Sequence, residues 1–343
     1  MNLHRRAAED LFPGYFALVM ATGTLSIAIQ QLGFPWVARV LLGFNVATYA
    51  ALWSLLATRL ACFPTKLVGD LVDHGRGPSF FTLVASTCVL GAEVLEVGGV
   101  AGPALWLWGL GIFLWVLVMY AFFTAVMVRS TKPSIAAGIN GAWLIAAVAT
   151  HSVAVLGASL GGVLDIGATG WFFSLVMFLI GCMLYLSIIT LIFYRLTFLH
   201  LTTAEFTPPY WINMGAVAIT TLAGSTLILN GGDQALIREL MPFLKGFTLF
   251  FWAAATWWIP LLVVLMVWRH GVRRHSFSYD PQYWGMVFPL AMYTTGTYQL
   301  ARAVELPFLM AIPDVFVFVA LAAWTLTLCA AVRHIWSRLW VAA

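Results

Sequence analysis

The sequence predicts an all-α membrane protein: ten transmembrane helices paired as five helical hairpins in a quasi-fivefold ring, with the odd-numbered helices lining a central pore. Three observations predict it. The 343 residues are 62% hydrophobic and only 9% charged, which excludes a soluble globular domain. Ten apolar stretches, each long enough to cross about 30 Å of hydrocarbon, are separated by short polar links. Prolines recur near their starts, so residues 1–343 read as a single domain built from one reused unit.

The stretches are 12–30, 36–60, 79–97, 102–128, 134–156, 167–196, 208–229, 242–268, 282–303 and 311–336. The opening "MNLHRRAAEDLFPGYFALVM" is basic and then apolar but has no small-residue cleavage site, so it reads as a retained first helix. Ten spans place both termini on one side. That side and its loops carry Arg5, Arg6, Arg59, Lys66, Arg76, Arg129, Lys132, Arg195, Arg269, Arg273, Arg274, Arg333 and Arg338; the other side has Arg39, Arg238, Lys245 and Arg302. Thirteen against four orients both termini to the cytoplasm, in the inner membrane of the cell. The formal charge of +4 is mostly this bias.

The prolines are Pro13, Pro78, Pro133, Pro208-Pro209 and Pro281, at intervals of 65, 55, 75 and (from Pro209) 72 residues. Proline suits a first helical turn, where its missing N–H costs nothing. Counted from these prolines, the odd spans hold 7 Phe or Trp and the even spans 26. The even helices therefore read as a lipid-facing wall, and the odd ones, rich in Ser, Thr and Gly, as the lining.

That lining carries no Asp or Glu at mid-depth. It offers Thr22, Gly23, Thr24 and Ser26, Ser86 and Thr87, Thr220 and Thr221, and Thr294, Thr295 and Thr297. Hydroxyl dipoles turned toward a lumen hold an anion weakly, which favours passage over storage; back-bonding to the helices is their alternative use. In the ninth span Pro289 cannot donate to the Gly285 carbonyl, which predicts a bend with Met292, Thr295 and Gln299 along one face. Charges gather toward the outer ends: Glu93 and Glu96, His151, and Arg302 with Glu305. Glu93, His151 and Arg302 read as an outer-mouth network. An unpaired charge at the edge of hydrocarbon costs about 2–3 kcal/mol, so Arg302 is expected near Glu93 or Glu305.

Cys62, Cys88, Cys182 and Cys329 are scattered without C-x-x-C spacing, and no cluster has metal-ligand spacing. No P-loop, nucleophile elbow or paired carboxylates appear, so the expectation is a non-enzyme with no cofactor, no metal and no nucleic-acid partner.

The stretches "FPGYFALVMATGTLS", "KPSIAAGINGAWLIAAVATHSVAV", "PPYWINMGAVAIT" and "YWGMVFPLAMYTTGTYQLA" resemble the tellurite-resistance/dicarboxylate transporter family, which includes the slow-type plant anion channels and TehA. The resemblance spans essentially the whole chain. It implies a homotrimer with one pore per subunit, each pore blocked by a phenylalanine on the ninth helix, and by position that residue is Phe288, beside Pro289. It implies small anions as cargo: halide, nitrate, organic acid or oxyanion. Lipid is the other expected partner. The alternative within the same family is a proton-coupled carrier of dicarboxylate, sulfite or tellurium oxyanions, with His151 or Glu93 holding the coupling proton.

Overall fold

Each helix owes its place to which of its faces is apolar and small. A computed structural model describes residues 3–276 and 278–342, and these contain helices and connecting turns but no strand. In chain order the helices are α1 (Leu3–Glu9), α2 (Ala17–Gln31), α3 (Pro35–Cys62), α4 (Pro64–Leu71), α5 (Phe81–Glu96), α6 (Ala101–Val128) and α7 (Ile135–Gly138). Then follow α8 (Ile145–Gly161), α9 (Gly167–Phe198), α10 (Ile212–Asn230), α11 (Ala235–Glu239), α12 (Met241–Met266), α13 (Trp284–Ala303) and α14 (Ala311–Ala342).

Helices α2, α5, α8, α10 and α13 pack on one another in a closed cycle: α2 on α5, α5 on α8, α8 on α10, α10 on α13, and α13 back on α2. Each also packs on the long helix that follows it, respectively α3, α6, α9, α12 and α14. The inner spans Gly77–Glu96, Gly141–Gly161 and Pro208–Asn230 are 89%, 94% and 94% buried; the outer five range from 22% to 44%. Exposed bulk sits on the outer helices, as at Trp36, Trp106, Phe172, Trp257 and Phe318. Small residues permit the inner contacts. A Cβ at Gly215 would stand 2.6 Å from Pro289 Cγ, and one at Gly296 2.8 Å from the Ala218 carbonyl, so α10 and α13 approach at glycine.

By length and composition, eight helices among the described residues are able to cross a membrane. The remaining two of the ten expected spans, 12–30 and 282–303, correspond to helical stretches at 13–31 and 281–303, whose Gly, Thr and Gln dilute their hydropathy.

Every inner helix is entered through a 3₁₀ turn: Pro13–Phe16, Gly77–Phe80, Gly141–Leu144, Pro208–Trp211 and Pro281–Tyr283. The five turns also touch in a closed cycle. This corrects the reading of the fifth span as 134–156 beginning at Pro133. Pro133 precedes the four-residue α7; the chain then extends through Ile139 and Asn140, and the span runs 141–161. Asn140 caps its start, its Oδ1 accepting from Ala142 N at 2.9 Å. The repeated element is thus Pro or Gly followed by two bulky residues: Pro13…Tyr15-Phe16, Pro78…Phe80-Phe81, Gly141…Trp143-Leu144, Pro208…Tyr210-Trp211 and Pro281…Tyr283-Trp284. Its intervals, 65, 63, 67 and 73, are more even than those of the prolines alone. The second bulky residue of each repeat is buried, from Phe16 at 0% exposed to Trp211 at 6%.

Arginines clasp the hairpins at the end where the inner helices begin. Arg59, ending α3, donates to Leu11 O at 2.7 Å; Arg129, just past α6, to Val72 O at 3.1 Å; and Arg195, near the end of α9, to Ala136 O at 2.8 Å. Each carbonyl belongs to the chain leading into the same hairpin. These basic residues therefore satisfy backbone groups as well as biasing orientation. The side chain of Arg338 lies outside the described residues.

Candidate functional site

The turn repeat sets five helices in one register, so equivalent residues meet around the axis. At the end where the inner helices begin, here the basal end, Gly14, Ser79, Ala142, Pro209 and Gln282 form one layer, and Ala17, Thr82, Ile145, Ile212 and Gly285 the next. These ten line a cavity of about 310 Å³, together with residues including Arg76, Asn140, Arg195 and Glu205.

A second cavity lies further along the same faces, at Thr24, Val89, Ser152, Ile219 and Met292, then Ile27, Ala92, Val155, Leu222 and Thr295, with Cys88 and Glu96. It holds only about 20 Å³, room for about one water. Between the two, the same register passes through Met20, Ala85, Val148, Gly215 and Phe288, which line neither cavity. Phe288 is the one aromatic side chain in that layer and is 1% exposed. Pro289 faces α10 at Gly215 and lies within an unbroken α13. The Gly285 carbonyl, four residues back, has no amide of residue 289 to accept.

Of the ten residues expected to line the lumen, Met292 and Thr295 line the distal cavity and the other eight do not. Their hydroxyls are used sideways. Thr22 Oγ1 accepts from Trp324 Nε1 of α14 at 2.9 Å, Thr87 shares 2.7 Å with Tyr49 OH of α3, and Ser26 donates to Ala38 O at 2.9 Å. Ser86 bonds Leu83 O, Thr221 bonds Val217 O, and Thr220 bonds Ala216 O while lying 3.3 Å from His151 Nδ1. Gly23 abuts Val89, Asn45 and Glu93. The physical reason is hydrocarbon: an indole N–H on an outer helix has no water to meet, and the nearest acceptor is a hydroxyl on the inner helix. Trp115 with Thr150 and Trp252 with Thr297 repeat the device, at 2.8 and 3.0 Å. The lining of the distal cavity is therefore mainly apolar, with Thr24, Ser152 and Thr295 as its hydroxyls.

The outer-mouth trio is also redrawn. Glu93 is fully buried toward α3, accepting from Asn45 Nδ2 at 2.6 Å. His151 is fully buried against α9, its Nε2 3.7 Å from Cys182 Sγ. Arg302 stays on the rim, donating to Gln299 Oε1 at 3.4 Å and forming no ion pair among the described residues, neither with Glu93 nor with Glu305. The register instead puts Gln31, Glu96, Ser159, Thr226 and Gln299 at the distal end. All five are polar, and Gln31 Nε2 lies 3.4 Å from Glu96 Oε2. Glu96, one of the charges at the outer ends, lines the distal cavity. It lies seven and four residues from Val89 and Ala92 of the axial face, whereas Glu93, three residues back, is turned toward α3 by Asn45.

A closed cycle of inner helices walled by long apolar ones, with two cavities lined by its equivalent residues, fits a channel or transporter. The comparisons make this specific. The chain belongs to the voltage-dependent anion channel (SLAC1) family, which matches residues 10–332, as the resemblance of its motifs implied. It is 39% identical over 152 residues to an uncharacterized membrane protein of Mycobacterium tuberculosis (strain H37Rv), covering 44% of this chain and 77% of that one. It is 24% identical over 351 residues to the sulfite efflux pump SSU1 of Trichophyton rubrum, covering 93% and 89%, and 23% identical over 351 residues to that of Arthroderma benhamiae, also covering 93% and 89%. The protein is thus a multi-pass membrane protein of anion transport.

Proposed function

We propose that the protein is an inner-membrane anion channel or facilitator passing small anions down their gradient, with both termini cytoplasmic and the path closed by Phe288. The observation that carries this reading is the order of layers on the axis: a basal cavity of about 310 Å³, a single ring at Phe288, then a distal cavity of about 20 Å³. Five inner helices begin around the basal cavity, and helix N-termini carry partial positive charge. That field, together with Arg76 and Arg195 in the cavity lining, favours anions. Two relatives that match over 93% of the chain are sulfite efflux pumps, which supports an oxyanion among the cargo.

The second reading is a proton-coupled carrier, and one observation favours it: Glu96 lines the distal cavity, where neither Glu93 nor His151 does. Reversal potentials in proteoliposomes separate the two. For a channel, the reversal potential follows the anion gradient and stays fixed when pH changes on one side. A reversal potential that moves with the pH gradient at constant anion establishes coupling, and loss of that movement in Glu96→Gln assigns the proton to Glu96.

We also propose a homotrimer, one path per subunit, with contacts through the outer helices and lipid on the rest of that wall. Their exposed rings, such as Trp106 at 84% and Trp36 at 70%, offer broad apolar surfaces. Cross-linking in native membranes is expected to stop at three subunits; a dimer limit removes the proposal.

A further inference from the structure

The basal cavity contains a charge that its own walls do not fully neutralise. Arg195 is 5% exposed, and its guanidinium gives Nε to Ala136 O at 2.8 Å and Nη1 to the Tyr210 hydroxyl. Its one acidic neighbour is Glu205, whose Oε1 lies 3.8 Å from Nη2, beyond hydrogen-bond length. Glu205 is the one carboxylate among the described residues lining the cavity. It is half-exposed and tethered from outside the ring by Thr202, whose N and Oγ1 each donate to Oε2 at 2.8 Å. Those two bonds hold its carboxyl below the usual range, so it remains ionised at neutral pH.

Further donors line the same space. Arg76 gives Nε to Asp70 at 3.0 Å, outside the cavity lining. Asn140 Nδ2, Ser79 Oγ and the Gln282 side-chain amide donate to no other described residue, although all three residues line the cavity. Two guanidinium groups and three uncommitted neutral donors around one tethered carboxylate are the donor set of an oxyanion site. Guanidinium forks pair best with groups that present two oxygens.

We propose that the basal vestibule binds an oxyanion, carboxylate or inorganic, at Arg195 and Arg76, and that Glu205 is a tethered stand-in which the ligand displaces from Arg195. The site collects oxyanions on the cytoplasmic side ahead of the Phe288 ring. It rests on the reading of this cavity as the anion's access. Binding is measured without current, however, so the site and the conduction path fail separately.

The experiment is isothermal titration of the purified full-length protein in lipid nanodiscs with sodium malonate and, separately, sodium sulfate, with sodium chloride at matched ionic strength as the control. Wild type is compared with Glu205→Gln, which keeps the shape and removes the competing charge. If Glu205 covers Arg195 about nine-tenths of the time, freeing the site tightens malonate and sulfate by about tenfold. Chloride, which lacks paired oxygens, is expected to change less than twofold. In wild-type protein, malonate should slow phenylglyoxal modification of Arg195, read by mass spectrometry, and this arm decides the matter if the variant does not fold. An unchanged or weaker affinity in folded Glu205→Gln overturns the proposal. So does an equal gain for chloride, or malonate that leaves Arg195 unprotected.

Discussion

Phe288→Ala is expected to raise anion conductance by at least about tenfold at matched surface expression. The aromatic ring occupies the layer between the basal and distal cavities, where the other four positions offer Met20, Ala85, Val148 and Gly215. A hydrated anion does not pass an apolar constriction of that kind, because the cost of stripping its water is met by no donor there. Removing the ring is expected to join the cavities and let water follow the ion. Selectivity among anions is expected to change less, since it comes from dehydration cost and from the field of the helix N-termini. Phe288→Leu should fall between the two, keeping apolar bulk without the flat ring. A buried Phe→Ala change costs about 3–5 kcal/mol in an ordinary core. Surface expression must therefore be measured alongside current. A carrier responds in the opposite sense, with coupled transport lost through a leaky seal. Currents no larger than wild type would place the gate elsewhere.

The second large effect is expected at Gly141, and it is structural. A Cβ there would stand 2.2 Å from the Pro209 carbonyl oxygen and 2.7 Å from Tyr210 Cα, all backbone of the neighbouring turn. Neither strand of that contact has a side chain to rotate away, so Gly141→Ala must push the third and fourth hairpins apart. Overpacking of this kind costs about 1–3 kcal/mol and more where only backbone is able to move. Lower yield of folded protein and a lower Tm in detergent are the readouts. Gly285→Ala is the control: its Cβ meets nothing closer than Ile212 Cδ1 at 3.6 Å, so stability should hold. Equal stability of the two variants would show that the turns tolerate separation.

How much of this was legible beforehand differs between fold and site. Composition, the even number of apolar stretches and the crowding of Phe and Trp into alternate ones were enough to separate inner from outer helices. The reason is that lipid is a uniform solvent, and a helix facing it must be apolar and bulky whatever its neighbours. The fifth span was misplaced because Pro133 imitated the start signal. The true start used Gly141, where a neighbouring backbone leaves no room for a proline ring.

The hydroxyls show the same limit more sharply. Thr22, Thr87 and Thr220 are correctly assigned to inner helices, yet a threonine facing the axis and one facing an outer tryptophan look alike in one dimension. They differ only in rotation about the helix, and only the partners reveal which was chosen. Trp324 lies 302 residues from Thr22, and the bond between them exists because the ring closes α14 against α2. Glu93 and Glu96 divide in the same way, one turned to Asn45 and one to the axis, though three residues apart on α5. By itself the sequence determined the class, the hairpin repeat and the identity of the inner helices, because these follow from solvent and from local helix starts. The tertiary structure alone decided which face of each inner helix meets the axis, because rotation about a helix is settled by packing against neighbours distant in the chain.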